Sequence, residues 1–233
     1  MSSTVAASLS TTASEKLKIL CIHGYRQNAQ IFRERTGALR KIIKKYTELE
    51  FISAPNKVQP GEGEEDLDQR GWWFSAKDST FKASQTCDVN PGLEASLTVV
   101  AKTFKELGPF DGILAFSQGA AFAAILCALQ SQGDTRFNFK FVILVAGFRS
   151  LSSCHASYYV NPISCPTLHV FGDTDGVIPK ESSESLLELF TNSQVLNHPG
   201  GHFVPASSPQ KKIYLEFLEY WYTKKQQENS NLK

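Results

Sequence analysis

Three residue types that together perform nucleophilic acyl chemistry occur in the chain in the order serine, aspartate, histidine. Ser117 lies in the segment AFSQGAA, Asp175 in FGDTDGVIP and His202 in GGHFVP. A serine hydroxyl becomes an effective nucleophile when a histidine removes its proton, and the histidine needs a carboxylate to orient it. The spacings are 58 residues from Ser117 to Asp175 and 27 from Asp175 to His202, which suits one or two strand–helix units each. The sequence therefore predicts a Ser-His-Asp triad.

Ser117 lies at a predicted junction between a strand and a helix. The apolar run GILAF (112–116) precedes it, and the alanine-rich segment 118–130 follows it. Ala115 and Gly119 are small enough for the sharp turn of a nucleophile elbow, with alanine in place of the first glycine of G-x-S-x-G. The start of the helix would add backbone N–H groups and a partial positive charge where an oxyanion develops. The alternative is a serine that only caps the helix.

Two backbone N–H groups are expected to hold the oxyanion of an acyl-transfer intermediate. One comes from the residue after the nucleophile, which is Gln118, and the other from a loop that follows an early strand. Here that loop begins with His23, Gly24 and Tyr25, and we predict that Tyr25 supplies the second N–H. The imidazole of His23 is interpreted as structural.

The carboxylate and the histidine of the predicted triad each have a competitor of the same type. Asp173 and Asp175 both follow the fifth predicted strand, but Asp175 stands four residues before Pro179, in a turn that fixes the loop. His198 belongs to the end of the sixth predicted strand, whereas two glycines before His202 free its loop to present a ring. Asp175 and His202 are therefore preferred, and the other two residues are the alternatives.

Short apolar runs alternate with longer segments of helical period along most of the chain. Uniformly apolar strands that alternate with helices are typical of a parallel sheet covered on both faces. We predict a single α/β domain over 16–225, with a mostly parallel sheet of about six strands and helices on both faces. The predicted strands are 17–23, 49–53, 112–116, 139–146, 167–171 and 195–198, and the predicted helices are 29–46, 93–107, 118–130, 180–191 and 206–225.

The segment 56–92 interrupts this alternation. It is long for a loop in a compact domain, so we interpret it as a lid-like insert. An acidic run (GEGEEDLD), interpreted as a solvated turn, is followed by RGWWF. Trp72 and Trp73 carry too much apolar surface for a solvated loop. They either plug the core, cover a pocket or meet a partner; as substrate-binding residues they would line a groove for an acyl chain.

Composition narrows the classes of function. The net charge of +1, from 24 Lys and Arg against 23 Asp and Glu, argues against a nucleic-acid-binding protein. No apolar run has the roughly 20 residues that a transmembrane helix needs. The polar residues 1–15 and 226–233 are predicted to be disordered tails. Five cysteines, an odd number, indicate free thiols in a reducing compartment, the cytoplasm or the nucleus. No nucleotide-binding or metal-ligand motif occurs, so no cofactor and no metal are expected.

Five segments together resemble the FSH-type family of serine hydrolases: LCIHGYRQN, RGWWF, ILAFSQGAA, HVFGDTDGVIP and GGHFVP. The resemblance covers about residues 16–223 and is closer to the vertebrate than to the fungal members. It implies an α/β-hydrolase fold, carboxylesterase activity and a triad at Ser117, Asp175 and His202. Ala115 departs mildly from the pattern. Fungal relatives include thioesterases that release acyl chains from synthases, so the resemblance does not by itself imply ester substrates alone.

We therefore expect a serine carboxylesterase that hydrolyses medium- to long-chain acyl esters of small molecules through an acyl-enzyme. The apolar insert, and the lack of a lysine or arginine cluster near the predicted site, favour straight acyl chains over short, branched or charged ones. One alternative is an acyl thioesterase that acts on CoA, carrier-protein or protein thioesters. The other is a catalytically idle binding module, against which the complete set of triad residue types argues.

Overall fold

A six-stranded parallel sheet forms the centre of the protein. The computed structural model describes residues 15–63 and 65–231. Its strands are β1 (Leu17–Ile22), β2 (Thr47–Ile52), β3 (Asn56–Lys57), β4 (Arg70–Gly71), β5 (Gly112–Phe116), β6 (Phe141–Val145), β7 (Thr167–Gly172) and β8 (Ser193–His198). Strands β3 and β4 pair with each other in antiparallel fashion. The other six pair in parallel in the order β2, β1, β5, β6, β7, β8, so their carboxyl ends share one edge of the sheet.

Helices cover both faces of this sheet. They are α1 (Ala29–Arg35), α2 (Gly37–Ile43), α3 (Leu93–Leu107), α4 (Gln118–Ser131), α5 (Lys180–Leu187) and α6 (Ser208–Asn231), with a 3₁₀ helix at Ser153–Tyr159. Neighbouring strand residues point to opposite faces. Ile113 therefore belongs to the core formed with α3 and α4, and Leu114 to the core formed with α1, α2 and α6. The predicted α/β architecture is confirmed, including the burial of every residue in β5 and β6.

One predicted helix, 29–46, is two helices in the structure. Helix α1 ends and α2 begins at Thr36, whose hydroxyl donates to the carbonyl oxygens of Phe32 (2.7 Å) and Arg33 (3.2 Å). A threonine hydroxyl that bonds the preceding turn tends to bend a helix, and Gly37, a residue of low helix propensity, follows directly. The apolar period continues through this break, and for that reason the sequence predicted one helix.

The last helix is longer than predicted. The polar composition of 226–233 predicts a disordered tail, but α6 continues to Asn231. The additional turns contact the rest of the protein, because Gln226 Nε2 donates to the Glu15 carbonyl at 2.8 Å and Asn229 Nδ2 to Glu15 Oε2 at 3.3 Å. Residues 1–14, 232 and 233, with most of the predicted N-terminal tail, lie outside the described residues. Within the described ranges no helix is both long and apolar enough to cross a membrane.

A single asparagine fastens the insert 56–92 at its base. Asn56 Nδ2 lies within hydrogen-bond distance of three carbonyl oxygens, those of Gly71 (3.0 Å), Trp72 (3.2 Å) and Gly92 (3.1 Å). Gly92 has a φ of +87°, and a Cβ at this position would lie 2.5 Å from the Asn56 side chain. Asn56 therefore joins the beginning, the middle and the end of the insert. The described parts of the acidic run are exposed, as expected for a solvated turn.

Three histidines are buried in the fold in their neutral form. Burial lowers the pKa of His23 and of His155 to about 4 and the pKa of His169 to about 3, because a charged ring would lose its hydration. In the unfolded chain the same rings bind a proton near pH 6.5. Between these values the unfolded state binds more protons than the folded state. The free energy of unfolding is therefore unaffected by the titration of these rings above pH 6.5, and it decreases as the pH falls towards 4.

We expect the free energy of unfolding to fall by about 1.4 kcal/mol per histidine for each pH unit in this window. Urea titrations at several pH values between about 7.5 and 4.5 would measure the slope. His169 packs against Phe190, and the His169→Leu substitution removes one of the three titrating rings. This variant should show a slope smaller by about 1.4 kcal/mol per pH unit, the contribution of one ring. An unchanged slope would contradict the assignment.

Candidate active site

Ser117 occupies a strained turn between β5 and α4. Its φ of 53° and ψ of −120° are unusual for a residue with a side chain. Its backbone N–H donates to Val145 O of the neighbouring strand at 2.8 Å, which fixes the turn at the carboxyl edge of the sheet. Within the described chain the hydroxyl makes no capping bond to α4. It lies instead 3.0 Å from His202 Nε2.

A continuous hydrogen-bonded line leads from this hydroxyl to a buried carboxylate. His202 Nδ1 lies 2.8 Å from Asp175 Oδ2, and the other oxygen, Oδ1, accepts the N–H groups of Val177 and Ile178, each at 2.8 Å. The two backbone donors fix the orientation of the carboxylate. The ionised carboxylate of Asp175 can only accept a hydrogen bond, so the ring proton of His202 is assigned to Nδ1. Nε2 then carries no proton and can accept the hydrogen bond from the Ser117 hydroxyl. The arrangement can move the Ser117 proton to His202.

The competing aspartate and histidine have other partners. Asp173 accepts from Lys180 Nζ at 2.9 Å and from Asn197 Nδ2 at 2.8 Å, and the hydrogen bond from Lys180 lowers the pKa of this exposed carboxyl. His198 Nδ1 accepts from the Gly200 N–H at 3.2 Å, and burial lowers the pKa of its ring. Thus the structure brings the preferred pair to the elbow and leaves the alternatives in turn and loop contacts.

The two predicted oxyanion donors belong to different elements beside the elbow. Gln118 is the first residue of α4, and the first N–H groups of a helix have no partner within it. Tyr25 lies in the loop after β1, which passes close to the elbow, since a Cβ on Gly24 would lie 3.3 Å from Ser117 Cβ. In the described part of the chain neither N–H donates to a protein acceptor. The predicted donors thus lie beside the elbow on two elements, α4 and the loop after β1.

Trp72 and Trp73 do not line a groove. Their exposed fractions are 0% and 1%. Trp72 stacks on Phe122 of α4 at a ring distance of 4.9 Å, and Trp73 meets Phe81 edge-on at 5.3 Å. The prediction that they bind substrate is corrected: both side chains plug the core, and neither has accessible surface for an acyl chain.

The accessible apolar surface near the site comes from residues that the sequence analysis did not single out. Val177 is 62% exposed and Phe203 is 50% exposed. They follow Asp175 and His202 by two residues and by one residue, respectively. Exposed large apolar residues next to a candidate site are a signal for ligand contact, and both were present in the sequence motifs. The sequence shows where these two residues stand beside Asp175 and His202, but it does not show that their side chains are exposed.

A cavity of about 330 Å³ adjoins this apolar surface. Its walls come from the insert, the segment after β6, the loop after β7 and α5, and Val177 is part of them. Of the described residues, those that line it do not include Ser117 or His202. The apolar part of the lining consists of Ala83, Phe148, Leu151, Val177, Ile178 and Pro179.

Comparison with known proteins identifies the class of enzyme. The family model of the FSH1 serine hydrolases matches residues 12–214. The chain belongs to the FSH1 serine hydrolase family. Among similar proteins, the esterase OVCA2 of Xenopus tropicalis is 51% identical over 230 residues, which cover 94% of this chain and 100% of that protein. The esterase OVCA2 of Danio rerio is 53% identical over 219 residues, covering 87% and 96%. The resemblance inferred from the sequence motifs is confirmed.

Solved structures of esterases and thioesterases share the fold of this FSH1 member. An acyl-protein thioesterase 2 from Zea mays aligns with a TM-score of 0.63 at 17% identity, covering 91% of this chain and 96% of that one. A carboxylesterase from Bacillus cereus aligns with a TM-score of 0.57 at 14% identity, covering 89% and 90%. At such low identity the likeness concerns the fold. The family match and the fold together make the protein a serine hydrolase with an α/β-hydrolase fold.

Proposed function

We propose that this serine hydrolase cleaves carboxylic esters of medium- to long-chain acyl groups, with Ser117 as nucleophile, His202 as general base and Asp175 as the orienting carboxylate. The observation that carries the proposal is the continuous line of hydrogen bonds from Asp175 Oδ2 through the imidazole to Ser117 Oγ, at 2.8 and 3.0 Å. Such a line activates a hydroxyl that is otherwise a weak nucleophile.

The reaction proceeds through two acyl transfers. Ser117 Oγ attacks the ester carbonyl carbon while its proton passes to His202 Nε2, and the carbonyl π electrons move to the oxygen. Collapse of the tetrahedral intermediate breaks the bond to the alkoxy oxygen, which takes the proton from His202 and leaves as an alcohol. Water then attacks the carbonyl carbon of the acyl-enzyme while His202 Nε2 accepts a proton from it. The bond between that carbon and Ser117 Oγ breaks, Oγ takes the proton back from His202, and the acid is released. Asp175 stabilises the imidazolium in both halves.

The oxyanion of each tetrahedral intermediate is held by the backbone N–H groups of Tyr25 and Gln118. This assignment is supported by the position of Gln118 at the start of α4 and by the close passage of the β1 loop along the elbow. Backbone donors held in place before the reaction need no reorganisation as charge develops. Loss of one such donor typically lowers turnover about 10²–10³-fold.

The acyl chain is assigned to the cavity of about 330 Å³ beside Val177. Its apolar lining suits methylene groups, and it lies close to Asp175, whose Oδ1 binds the N–H groups of Val177 and Ile178. Because neither Ser117 nor His202 is part of the lining among the described residues, the cavity is suited to the distal part of a chain rather than to the ester group. This favours longer chains, since a short chain cannot reach the apolar surface.

A thioesterase activity is the second candidate. The triad geometry serves thioesters by the same two acyl transfers, and the structural neighbour from Zea mays is named an acyl-protein thioesterase. Matched oxygen and thiol esters of the same acyl chain separate the candidates. A kcat/KM for the oxygen ester at or above that of the thioester supports the esterase proposal, and a strong preference for the thioester would replace it with the second candidate.

Labelling with a fluorophosphonate probe tests the proposed nucleophile. Wild-type protein should be labelled covalently at Ser117, and Ser117→Ala should show neither labelling nor turnover of p-nitrophenyl esters, because no other hydroxyl is bonded to His202 Nε2 in the described chain. A folded wild-type protein that stays unlabelled, or a Ser117→Ala variant that labels equally well, would contradict the assignment.

Filling the cavity should change the preference for chain length. Ser182 lines it from α5, and Ser182→Phe places a large ring there. We expect kcat/KM for p-nitrophenyl decanoate to fall roughly tenfold, as the loss of about two methylene contacts at about 0.8 kcal/mol each implies. The rate on p-nitrophenyl acetate, which is too short to reach the cavity, is the internal control. An equal fall for both esters would argue against this site for the chain.

A further inference from the structure

The side chain of Gln118 binds the tryptophan segment rather than solvent. Its Oε1 accepts the backbone N–H of Trp72 at 2.9 Å, and its Nε2 donates to the carbonyl oxygen of Trp73 at 2.7 Å. Gln118 is completely buried, so both ends of its amide are satisfied by this one segment. The residue whose backbone N–H is assigned to the oxyanion is thus also the residue that fastens the insert to α4.

The same segment binds the loop that carries the other oxyanion donor. Trp72 Nε1 donates to the carbonyl oxygen of His23 at 2.8 Å. Arg70 N–H donates to Gln27 O at 2.8 Å, and Arg70 O accepts the N–H of Arg26 at 3.0 Å. Residues 70–72, hereafter the bridge, therefore hold the β1 loop on both sides of Tyr25.

The loop is braced on its inner side as well. The neutral ring of His23 donates from Nδ1 to Gly24 O (2.7 Å) and accepts at Nε2 from the Ala54 N–H (2.9 Å). The Gly24 N–H donates to Gln27 Oε1 at 3.1 Å. The peptide units before Tyr25 are thus held by buried partners, and a Cβ on Gly71 of the bridge would lie 3.0 Å from the Tyr25 ring. Little freedom remains for the direction of the Tyr25 N–H.

We propose that the bridge is a positioning element of the oxyanion hole, which ties the Tyr25 loop to the Gln118 side chain so that both backbone N–H groups are aimed at the same oxygen. This inference rests on the proposed function and assigns a role to the RGWWF segment within that site. Trp72 acts through the His23 carbonyl and Gln118 and does not touch the substrate. Holding the two N–H donors in place should raise the reaction rate, because oriented donors stabilise the negative charge that develops in the transition state.

The test replaces Trp72 with phenylalanine. Phenylalanine keeps an aromatic ring against Phe122, but it cannot donate to His23 O. We expect kcat to fall up to about 10²-fold, the usual effect of a displacement near 1 Å, with little change in KM. Binding of a trifluoromethyl ketone with the same chain should weaken by the same factor as kcat/KM. Ser117 Oγ forms a bond to the carbonyl carbon of this inhibitor, and the Ser117 proton passes to His202. The ketone oxygen becomes an oxyanion between the N–H groups of Tyr25 and Gln118.

A matched control separates positioning from general destabilisation. Trp221, also buried, stacks on Phe141 from α6 on the other face of the sheet. Trp221→Phe loses the same atoms and should lower the thermal midpoint while kcat and ketone affinity stay at wild-type values. Equal kcat in Trp72→Phe and wild type, or a lower kcat without weaker ketone binding, would overturn the inference. Gln118→Met, which keeps the backbone N–H but loses both bonds to the insert, should behave as Trp72→Phe does.

The wild-type protein distinguishes failure of the inference from failure of the proposed function. If it labels with fluorophosphonate and binds the ketone while Trp72→Phe is unaffected, the triad stands and the bridge is only structural. If the wild type neither labels nor binds the ketone, the proposed function fails and the inference fails with it.

Discussion

Replacing Asp175 with asparagine should lower kcat/KM about 10⁴-fold while leaving the protein folded, by analogy with triads elsewhere. The structure gives a specific reason for the loss. Asp175 Oδ1 is held by the N–H groups of Val177 and Ile178, so the asparagine oxygen would keep that position and its NH₂ group would face His202 Nδ1. That nitrogen would then have to accept, the ring proton would move to Nε2, and Nε2 could no longer take the proton of Ser117.

Asp173→Asn is the matched control for this prediction. Asp173 lies two residues away in the same loop, but its carboxylate is exposed and bonds to Lys180 and Asn197. Kinetics on a p-nitrophenyl ester, with circular dichroism to check folding, should show near wild-type activity for Asp173→Asn. If Asp173→Asn were the inactive variant and Asp175→Asn the active one, the carboxylate of the triad would have to be reassigned.

Replacing Gly119 with alanine should be among the most destabilising single substitutions in this protein. A Cβ at this position would lie 2.3 Å from His23 O and 2.6 Å from Ile22 O. Both contacts are with backbone at the end of β1, which cannot rotate away as a side chain could. Overpacking of this kind costs about 1–3 kcal/mol and occasionally more, and we expect about 3 kcal/mol or more because two backbone oxygens are involved. Urea denaturation would measure the change in the free energy of unfolding.

The same substitution should reduce activity in the molecules that still fold. To relieve the contact, α4 has to move away from β1, and this separates the N–H of Gln118 from the loop that carries Tyr25. Gly37→Ala is the control, because the nearest atom to a Cβ there is 3.9 Å away, the end of the Arg40 side chain, and alanine has the higher helix propensity. A Gly119→Ala protein with wild-type stability would show that α4 and β1 separate without cost.

The insert shows where sequence reasoning reached its limit. The pattern RGWWF predicted that the two tryptophans are not in a solvated loop, and both are buried. The choice between core and substrate groove depended on the stacking of Trp72 on Phe122 and on the bonds from Gln118. Gln118 lies 46 residues from Trp72 and 45 residues from Trp73 along the chain. No local sequence pattern predicts a contact over such a separation.

The bounds of two helices also differ from those predicted from the sequence. The breadth of the apolar period predicted a helix over 29–46, but the hydroxyl of Thr36 interrupts it. At the other end, the polar composition of 226–233 indicated a tail, whereas contacts of Gln226 and Asn229 with Glu15 accompany the continuation of α6 to Asn231. In both cases a particular side-chain bond outweighed an average property of the segment.

Local sequence patterns were enough to predict the α/β class, the strand–helix junction at Ser117 and the order of candidate residues at strand ends. These features are encoded locally, by apolar period, small residues at a turn and the residues that end each strand. The three-dimensional packing was needed to show that Asp175 and His202, rather than Asp173 and His198, share a line of hydrogen bonds with Ser117. It also decided that the tryptophans are internal, because both outcomes depend on distances between residues far apart in the chain, which are set by the packing of several elements at once.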